Sequence, residues 1–317
     1  MGVNALDRLE VVPSGAALGA EVRGVDLAQP LPDDVVEKLT DVWGEHLVLL
    51  FRGQKMTDSL IVQLANHFGG HQPAGARMRR RALGLQEYSK GTPRDERINY
   101  VTNLDDEGKP SAKNISTGSA ELRWHCDNTY RDVPPTGTIL WAGQVPEDDT
   151  GRTLFCNEIL AYEELPEGLK EAIEGKHLRH DGSRTSAETL HPDRVMPQSL
   201  DDISGALHPA VRIHPPTGKR TLFLSLRSNW PSIHLVEMPN NEGEKLMDRL
   251  WAHATQDKYV WAHSWQPHDL LMWDNRAVMH RRTAVNPGAP RVMHRTLIKG
   301  DPVISAWDRP QSNPKAA

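Results

Sequence analysis

The sequence predicts a mainly β fold, a double-stranded β-helix or jelly-roll barrel buttressed by helices. Three observations predict it. From Asn99 onward, strand-like runs recur with short turns between them. Helical periodicity is confined to stretches early and late in the chain. No Gly-rich phosphate loop follows a strand, and there is no internal repeat or heptad run.

Taken in order, Leu9 to Val12 and Glu21 to Val25 read as short strands around a Gly-containing turn. Asp33 or Asp34 can cap a helix whose apolar stripe, Val35, Leu39, Val42 and Trp43, has helical spacing. His46 to Phe51 is a continuous apolar run closed by Arg52-Gly53, the pattern of a fully buried strand. Thr57 caps a second helix with Leu60, Ile61, Leu64 and Phe68 on one face. The polar stretch from Gly69 to Gly91 reads as a loop. Asn99 to Thr102, Thr138 to Ala142 and Thr153 to Asn157 are strands, and Glu163 to Glu174 is a helix. Ser183 to Gly205 carries Pro, Ser and Asp without a period, which predicts a functional lid or partial disorder. Ala210 to His214, the turn Pro215 to Gly218, and Thr221 to Ser225 give a hairpin signal. Glu244 to Ala254 is helical with Leu246, Leu250 and Trp251 inward. Asp269 to Trp273 and Arg291 to Ile298 are the last strands. The chain is expected to be one domain over 1–317. It has a helix-rich part near 1–95, the barrel core near 96–306, the 183–205 insertion and a polar tail, 308–317.

At 317 residues the chain can bury a sizeable core. Its 37 basic and 42 acidic residues give a formal charge of −5, without the basic excess that nucleic-acid binding needs. The one basic run, Arg77, Arg79, Arg80 and Arg81, is a solvated loop face or a loop that attracts an anion. Two cysteines, Cys126 and Cys156, are too few for a disulfide framework or a thiolate zinc site. There is no apolar signal-peptide core and no membrane-length apolar run. A reducing cytoplasm is the expected compartment, and a homo-oligomer, dimer or tetramer, the expected assembly.

The chemistry concentrates in Arg123-Trp-His-Cys-Asp-Asn-Thr129. In an extended strand, residues two apart share a face, so His125 and Asp127 can converge on one metal while Cys126 turns away. His280, after Met272-Trp-Asp-Asn-Arg276, is the best third ligand. Two imidazoles and one carboxylate on one octahedral face leave three positions open, the usual arrangement of non-haem Fe(II) oxygenases. A lone His-x-Asp is more often a structural pair. Among the fifteen histidines, His177, His180, His208 and His263 read as surface or strand-packing residues.

The wider pattern resembles the taurine and 2,4-dichlorophenoxyacetate dioxygenase family over about Leu9 to Trp307. The resemblance rests on Trp124-His-Cys-Asp127, Pro134-Pro-Thr-Gly137, Gly151-Arg-Thr-Leu154, the segment His208 to Gly218, Trp273-Asp-Asn-Arg276 with His280, and Arg291-Val-Met-His-Arg295, in that order. It implies a cupin-like jelly-roll using Fe(2+), 2-oxoglutarate and O2. It implies that Arg291, eleven residues after His280, grips the far carboxylate of 2-oxoglutarate with help from the Thr153 hydroxyl. Arg295 shares a strand face with Arg291, and the family's arginine there is associated with the acidic group of the primary substrate. Arg295 can equally serve as support behind the site. Phe155 closes the iron pocket or fills the barrel core. The expected partner is therefore a small anionic substrate, a carboxylate, aryloxyalkanoate or sulfonate.

The sequence departs from the taurine enzyme in Gly70 to Arg77 and in Glu121-Leu-Arg123, which argues against taurine itself. The carboxylate of Asp127 argues for hydroxylation rather than halogenation. Hydroxylation would yield succinate and CO2, and C–O, C–N or C–S cleavage where the attacked carbon carries a heteroatom. Two rival readings remain, a zinc hydrolase and a silent anion-binding barrel on the same fold. Arg291 and Thr153 separate the first from the dioxygenase, and the intact triad separates the second.

Overall fold

Continuous apolar runs become the central strands of two facing sheets. The computed structural model describes residues 5–72, 81–84, 95–112 and 118–307. In chain order, α1 (Ala5–Arg8), β1 (Glu10–Pro13) and β2 (Ala20–Arg23) precede α2 (Asp33–His46), β3 (Val48–Phe51), α3 (Asp58–His67), β4 (His71–Gln72) and β5 (Asn99–Thr102). Next come β6 (Leu122–His125), β7 (Gly137–Gln144), β8 (Thr153–Asn157), α4 (Glu158–Glu163) and α5 (Glu167–Ile173). Short strands follow: β9 (His177–Arg179), β10 (Leu207–Pro209), β11 (Val211–Ile213), β12 (Arg220–Leu222) and β13 (His234–Leu235). The chain continues through α6 (Asn240–Ala254), β14 (Val260–His263), β15 (Leu270–Asp274), β16 (Val278–Arg282) and β17 (Val292–Ile298).

The larger sheet has the order β1-β2-β3-β15-β7-β17-β4, with β5 also on β17; the smaller has the order β14-β8-β16-β6. Strand alternation sorts β3 onto two faces. Leu49 and Phe51 pack outward against Leu39 and Trp43 of α2 and Ile61 and Leu64 of α3. Val48 and Leu50 face inward, in one cluster with Leu140, Trp273 and Met293 of the larger sheet and Phe155 and Val278 of the smaller. The two sheets therefore pack face to face. Behind the smaller sheet, Cys156 and Met279 meet Leu169 and Ile173 of α5 and Leu246 and Leu250 of α6. Each such large apolar side chain stabilises the fold by about 1.5–3 kcal/mol on burial. This is the helix-flanked double sheet that the sequence predicts.

The structure departs from expectation in particular places. α2 starts after Pro32 with no side-chain cap, and Asp33 and Asp34 sit in its first turn. Thr57 does cap α3, accepting from the Leu60 amide. The helix expected over Glu163 to Glu174 is two helices, because Pro166 cannot continue the first and becomes the N-cap of the second. The hairpin is present as β11 and β12, antiparallel with Arg212 opposite Thr221.

Segment 183–205 is tied down rather than loose. Arg184, buried, donates to Asp181 (3.2 Å) and to the Pro231 carbonyl (3.0 Å). The Ser186 carbonyl accepts the Arg123 amide (2.9 Å), and Glu188 pairs with Arg123 (2.7 Å) and accepts from Ser228 (2.7 Å). Of the basic run, Arg77, Arg79 and Arg80 lie outside the described residues, as do most of the Gly69 to Gly91 loop and the tail. Arg81 is exposed and pairs with Glu96 (2.7 Å). No described helix is long and apolar enough to cross a membrane.

Candidate active site

β6 and β16 run antiparallel with His125 opposite His280, and β8 sets Phe155 opposite His280 from the other side. β6 ends at His125, so Asp127 lies not in a strand but in the turn that follows, where Asn128 has φ 51°. The turn still brings its carboxylate to the imidazoles, and Cys126 faces away, towards Glu158 and the carbonyls of Leu224 and Val278. Asn275 holds the turn. Its Oδ1 accepts the Asp127 amide (2.6 Å), and its Nδ2 donates to the carbonyls of Asp127 (3.0 Å) and Pro135 (3.1 Å).

Ligand atoms of His125, Asp127 and His280, all buried, lie within 4.8 Å of one another, the one such group among the described residues. His125 Nδ1 sits 2.7 Å from the Arg123 carbonyl. A carbonyl only accepts, so Nδ1 carries the proton and Nε2 keeps its lone pair. His280 Nε2 is 4.0 Å from Asp127 Oδ2, and its Nδ1 has no partner. Thr138 Oγ1 donates to Asp127 Oδ2 (2.7 Å) and Arg295 Nη1 to Oδ1 (3.2 Å).

Burial lowers the pKa of His125 below its ordinary value. Burial, reinforced by the neighbouring His125, pushes His280 down to about 3. Burial opposes ionisation of Asp127, but Arg295, His280 and His125 outweigh it and hold the carboxyl well below the usual range. Two neutral imidazoles and an ionised carboxylate are the protonation states that a divalent metal requires, so the donor set fits a ferrous ion.

A second cluster lies along the same wall. Arg291 is only 2% exposed, and no acidic side chain among the described residues pairs with it. Its backbone amide donates to Asn103 Oδ1 (2.9 Å). Burial, and then the charge of Arg282, hold its pKa well below the ordinary arginine value. Its side chain crosses Gly151, where a Cβ would come within 3.2 Å of Arg291 Nε and 2.9 Å of Val285; Gly151 also has φ +76°. Only glycine suits that position. The Thr153 hydroxyl accepts from Trp265 Nε1 (3.0 Å). Along β17, alternation sends Arg291, Met293 and Arg295 inward, while His294 turns out to Asp58 of α3 (2.6 Å). Phe155 is fully buried, with its ring centroid 5.4 Å from Trp273 and 6.4 Å from His280, so it lies in the core against a triad residue.

Of the other histidines, His180, His208 and His263 are buried packing residues, and His177 pairs with Glu237 (2.7 Å). Sequence reasoning missed Asn275, Thr138, Trp265 and Arg282. Asn275 stood inside the quoted Trp273 to Arg276 motif, and Arg282 is two residues past His280.

The chain matches the taurine catabolism dioxygenase TauD, TfdA family over residues 10–297. It belongs to that family. Pentalenolactone F synthase of Streptomyces arenae is 29% identical over 316 residues, covering 94% of this chain and 98% of the relative. (S)-phenoxypropionate/alpha-ketoglutarate-dioxygenase of Delftia acidovorans is 28% identical over 298 residues, covering 93% of this chain and 96% of the relative. Among solved structures, AAD-2 in complex with Mn(II) and N-oxalylglycine matches with a TM-score of 0.75 and 28% identity, covering 94% of this chain and 99% of that one. This TauD/TfdA chain is a jelly-roll Fe(II)- and 2-oxoglutarate-dependent dioxygenase.

Proposed function

We propose that this TauD/TfdA dioxygenase hydroxylates a small organic acid, a carboxylate, aryloxyalkanoate or sulfonate. In this reading His125, Asp127 and His280 hold the Fe(II). Arg291 and Thr153 take the far carboxylate of 2-oxoglutarate. Arg295 orients the acidic group of the substrate, and Phe155 backs the metal pocket. Bound there, Fe(II) and 2-oxoglutarate supply the oxidising power that places an oxygen atom from O2 into a C–H bond, with succinate and CO2 as co-products. Where the attacked carbon bears oxygen, nitrogen or sulfur, the hydroxylated product collapses and that bond breaks.

The observation that carries this reading is the pair of inward cations, Arg291 and Arg295, around a triad with a single carboxylate. Arg295 gives one Nη to Asp127 while its side chain stays 22% exposed and its Nε has no partner. It therefore reaches from the ligand shell towards the opening, and like charge disfavours a quaternary ammonium substrate. The Delftia relative, named for phenoxypropionate, supports an acid. Free, buried Cys126 and Cys156 support a reducing cytoplasm. Exposed Leu190, Val195, Met196 and Trp230 support the homo-oligomer, dimer or tetramer.

The test is succinate formation with Fe(II) and 2-oxoglutarate across carboxylates, aryloxyalkanoates, sulfonates and sulfate esters. One acid is expected to be turned over, and its neutral ester or amide is not. A neutral analogue that reacts as well as the acid sinks the proposal. Arg295→Lys, which keeps the charge but loses the planar fork, should weaken substrate binding and leave 2-oxoglutarate binding intact.

A further inference from the structure

Arg282 has no part in the metal triad, yet it faces the same interior. Along β16, Val278 packs in the inter-sheet core and His280 joins the triad, so Arg282, two residues on, points inward too. Met279 and Arg281 alternate the other way, Met279 behind the smaller sheet and Arg281 on Glu121 (2.5 Å). In the register of β16 and β8, Arg282 stands opposite Thr153, while His280 stands opposite Phe155. Arg282 is thus beside the threonine assigned to 2-oxoglutarate. It is 4% exposed.

The backbone joins Arg282 to Arg291. Arg282 Nη2 donates to the carbonyls of Gly118 (3.0 Å) and Ala120. Ser119, between them, accepts from Asn103 Nδ2 (3.4 Å), and Asn103 Oδ1 holds the Arg291 amide (2.9 Å). Arg291 in turn crosses Gly151, two residues before Thr153. Two guanidiniums and one hydroxyl therefore surround one spot.

Two buried like charges repel, and here each is also depressed by burial, Arg282 to about 10. Such an arrangement costs stability unless an anion completes it. A carboxylate has two oxygens and room for a donor fork on each. We infer that Arg282 is a second cationic post for the far carboxylate of 2-oxoglutarate, sharing it with Arg291 across Thr153. The inference rests on the reading of Arg291 and Thr153 given above. It makes this pocket selective for a dicarboxylate over a 2-oxo acid of equal length with one carboxylate.

Anaerobic Fe(II)-loaded protein is titrated with 2-oxoglutarate and with 2-oxopentanoate, and binding is read from the charge-transfer absorbance of the chelate. The proteins are wild type, Arg282→Met, Arg282→Lys and Arg291→Met. Arg282→Met should bind 2-oxoglutarate ~10- to 100-fold more weakly, the loss of a hydrogen bond to a charged group, with 2-oxopentanoate unchanged. Arg282→Lys should fall between, and carries the test if the methionine variant does not fold. Equal weakening of both acids means that Arg282 only braces the 118–120 turn, and overturns the inference. So does unchanged 2-oxoglutarate binding. If Arg291→Met loses the preference for the dicarboxylate and the Arg282 variants keep it, the reading of Arg291 stands and this inference falls. If wild type binds the two acids alike, both fall.

Discussion

The interior between the two sheets has two unlike halves. One half is apolar: Leu140, Phe155, Leu271, Trp273, Val278 and Met293 interdigitate, with the Phe155 and Trp273 ring centroids 5.4 Å apart. The other half, a residue or two further along the same strands, buries His125, Asp127, His280, Arg282 and Arg291. Burial is the same in both; what differs is what each side chain leaves unmet. The apolar side chains are complete once packed. Arg291 has no anionic partner among the described residues, and the triad has lone pairs and charge without a cation. The first half stabilises the fold. The second opposes it and is retained for what it binds.

Four experiments break or sharpen that contrast. His125→Ala, Asp127→Ala and His280→Ala should each abolish substrate-coupled succinate formation while leaving far-ultraviolet circular dichroism unchanged; near-normal turnover in all three would remove the triad from the reaction. Trp273→Ala, in the apolar half, should lower unfolding free energy by about 3–5 kcal/mol in a denaturant titration. Arg291→Ala should do the reverse, leaving stability equal or raised. It should weaken 2-oxoglutarate by about 2–5 kcal/mol, roughly 30-fold to several thousand-fold in KM. A stability loss like that of Trp273→Ala would show that Arg291 belongs to the packing half.

The smallest effect concerns Glu158, buried behind the smaller sheet, where it accepts from the Leu224 amide (2.9 Å) and the Cys126 thiol (3.5 Å). Burial raises its pKa to about 8 against an ordinary 4.5, partly offset by Arg212. Between those values the folded protein holds a proton that the unfolded chain has released, so stability falls as pH rises. The slope reaches at most ~1.4 kcal/mol per pH unit. Above about pH 6.5, where histidines of the unfolded chain have also lost their protons, the fall should be visible in Tm, and Glu158→Gln should flatten it. An equally steep fall in the variant would assign the effect elsewhere.

Much of this was legible in the residues. A run apolar on every position, Val48 to Phe51, announces a strand packed on both faces. The pair His125 and Asp127, with a distal His280 and Arg291 at a set spacing, announces the reaction. Other features were not. β9, β10 and β13 have two or three residues each, too few for a period to show. Asp127 reads as a strand residue because nothing in its neighbours declares the left-handed Asn128. Arg282 hides in the run His280-Arg-Arg282. Which of two adjacent arginines faces inward depends on register, and register becomes visible only when β8 and β6 lie on either side.

Arg123 occupies an unusual junction. Its amide is bonded to the 183–205 segment, its guanidinium to Glu188 of that segment, and its carbonyl to the ring of His125. A surface segment that differs among substrates is the natural place for an enzyme to change its diet. Here that freedom is mortgaged. Any rewording of residues 186 to 188 tugs on the peptide that aims a metal-binding imidazole. Substrate range and metal grip are therefore inherited together, and variants selected for a new acid should arrive with altered iron affinity even when no ligand has been touched.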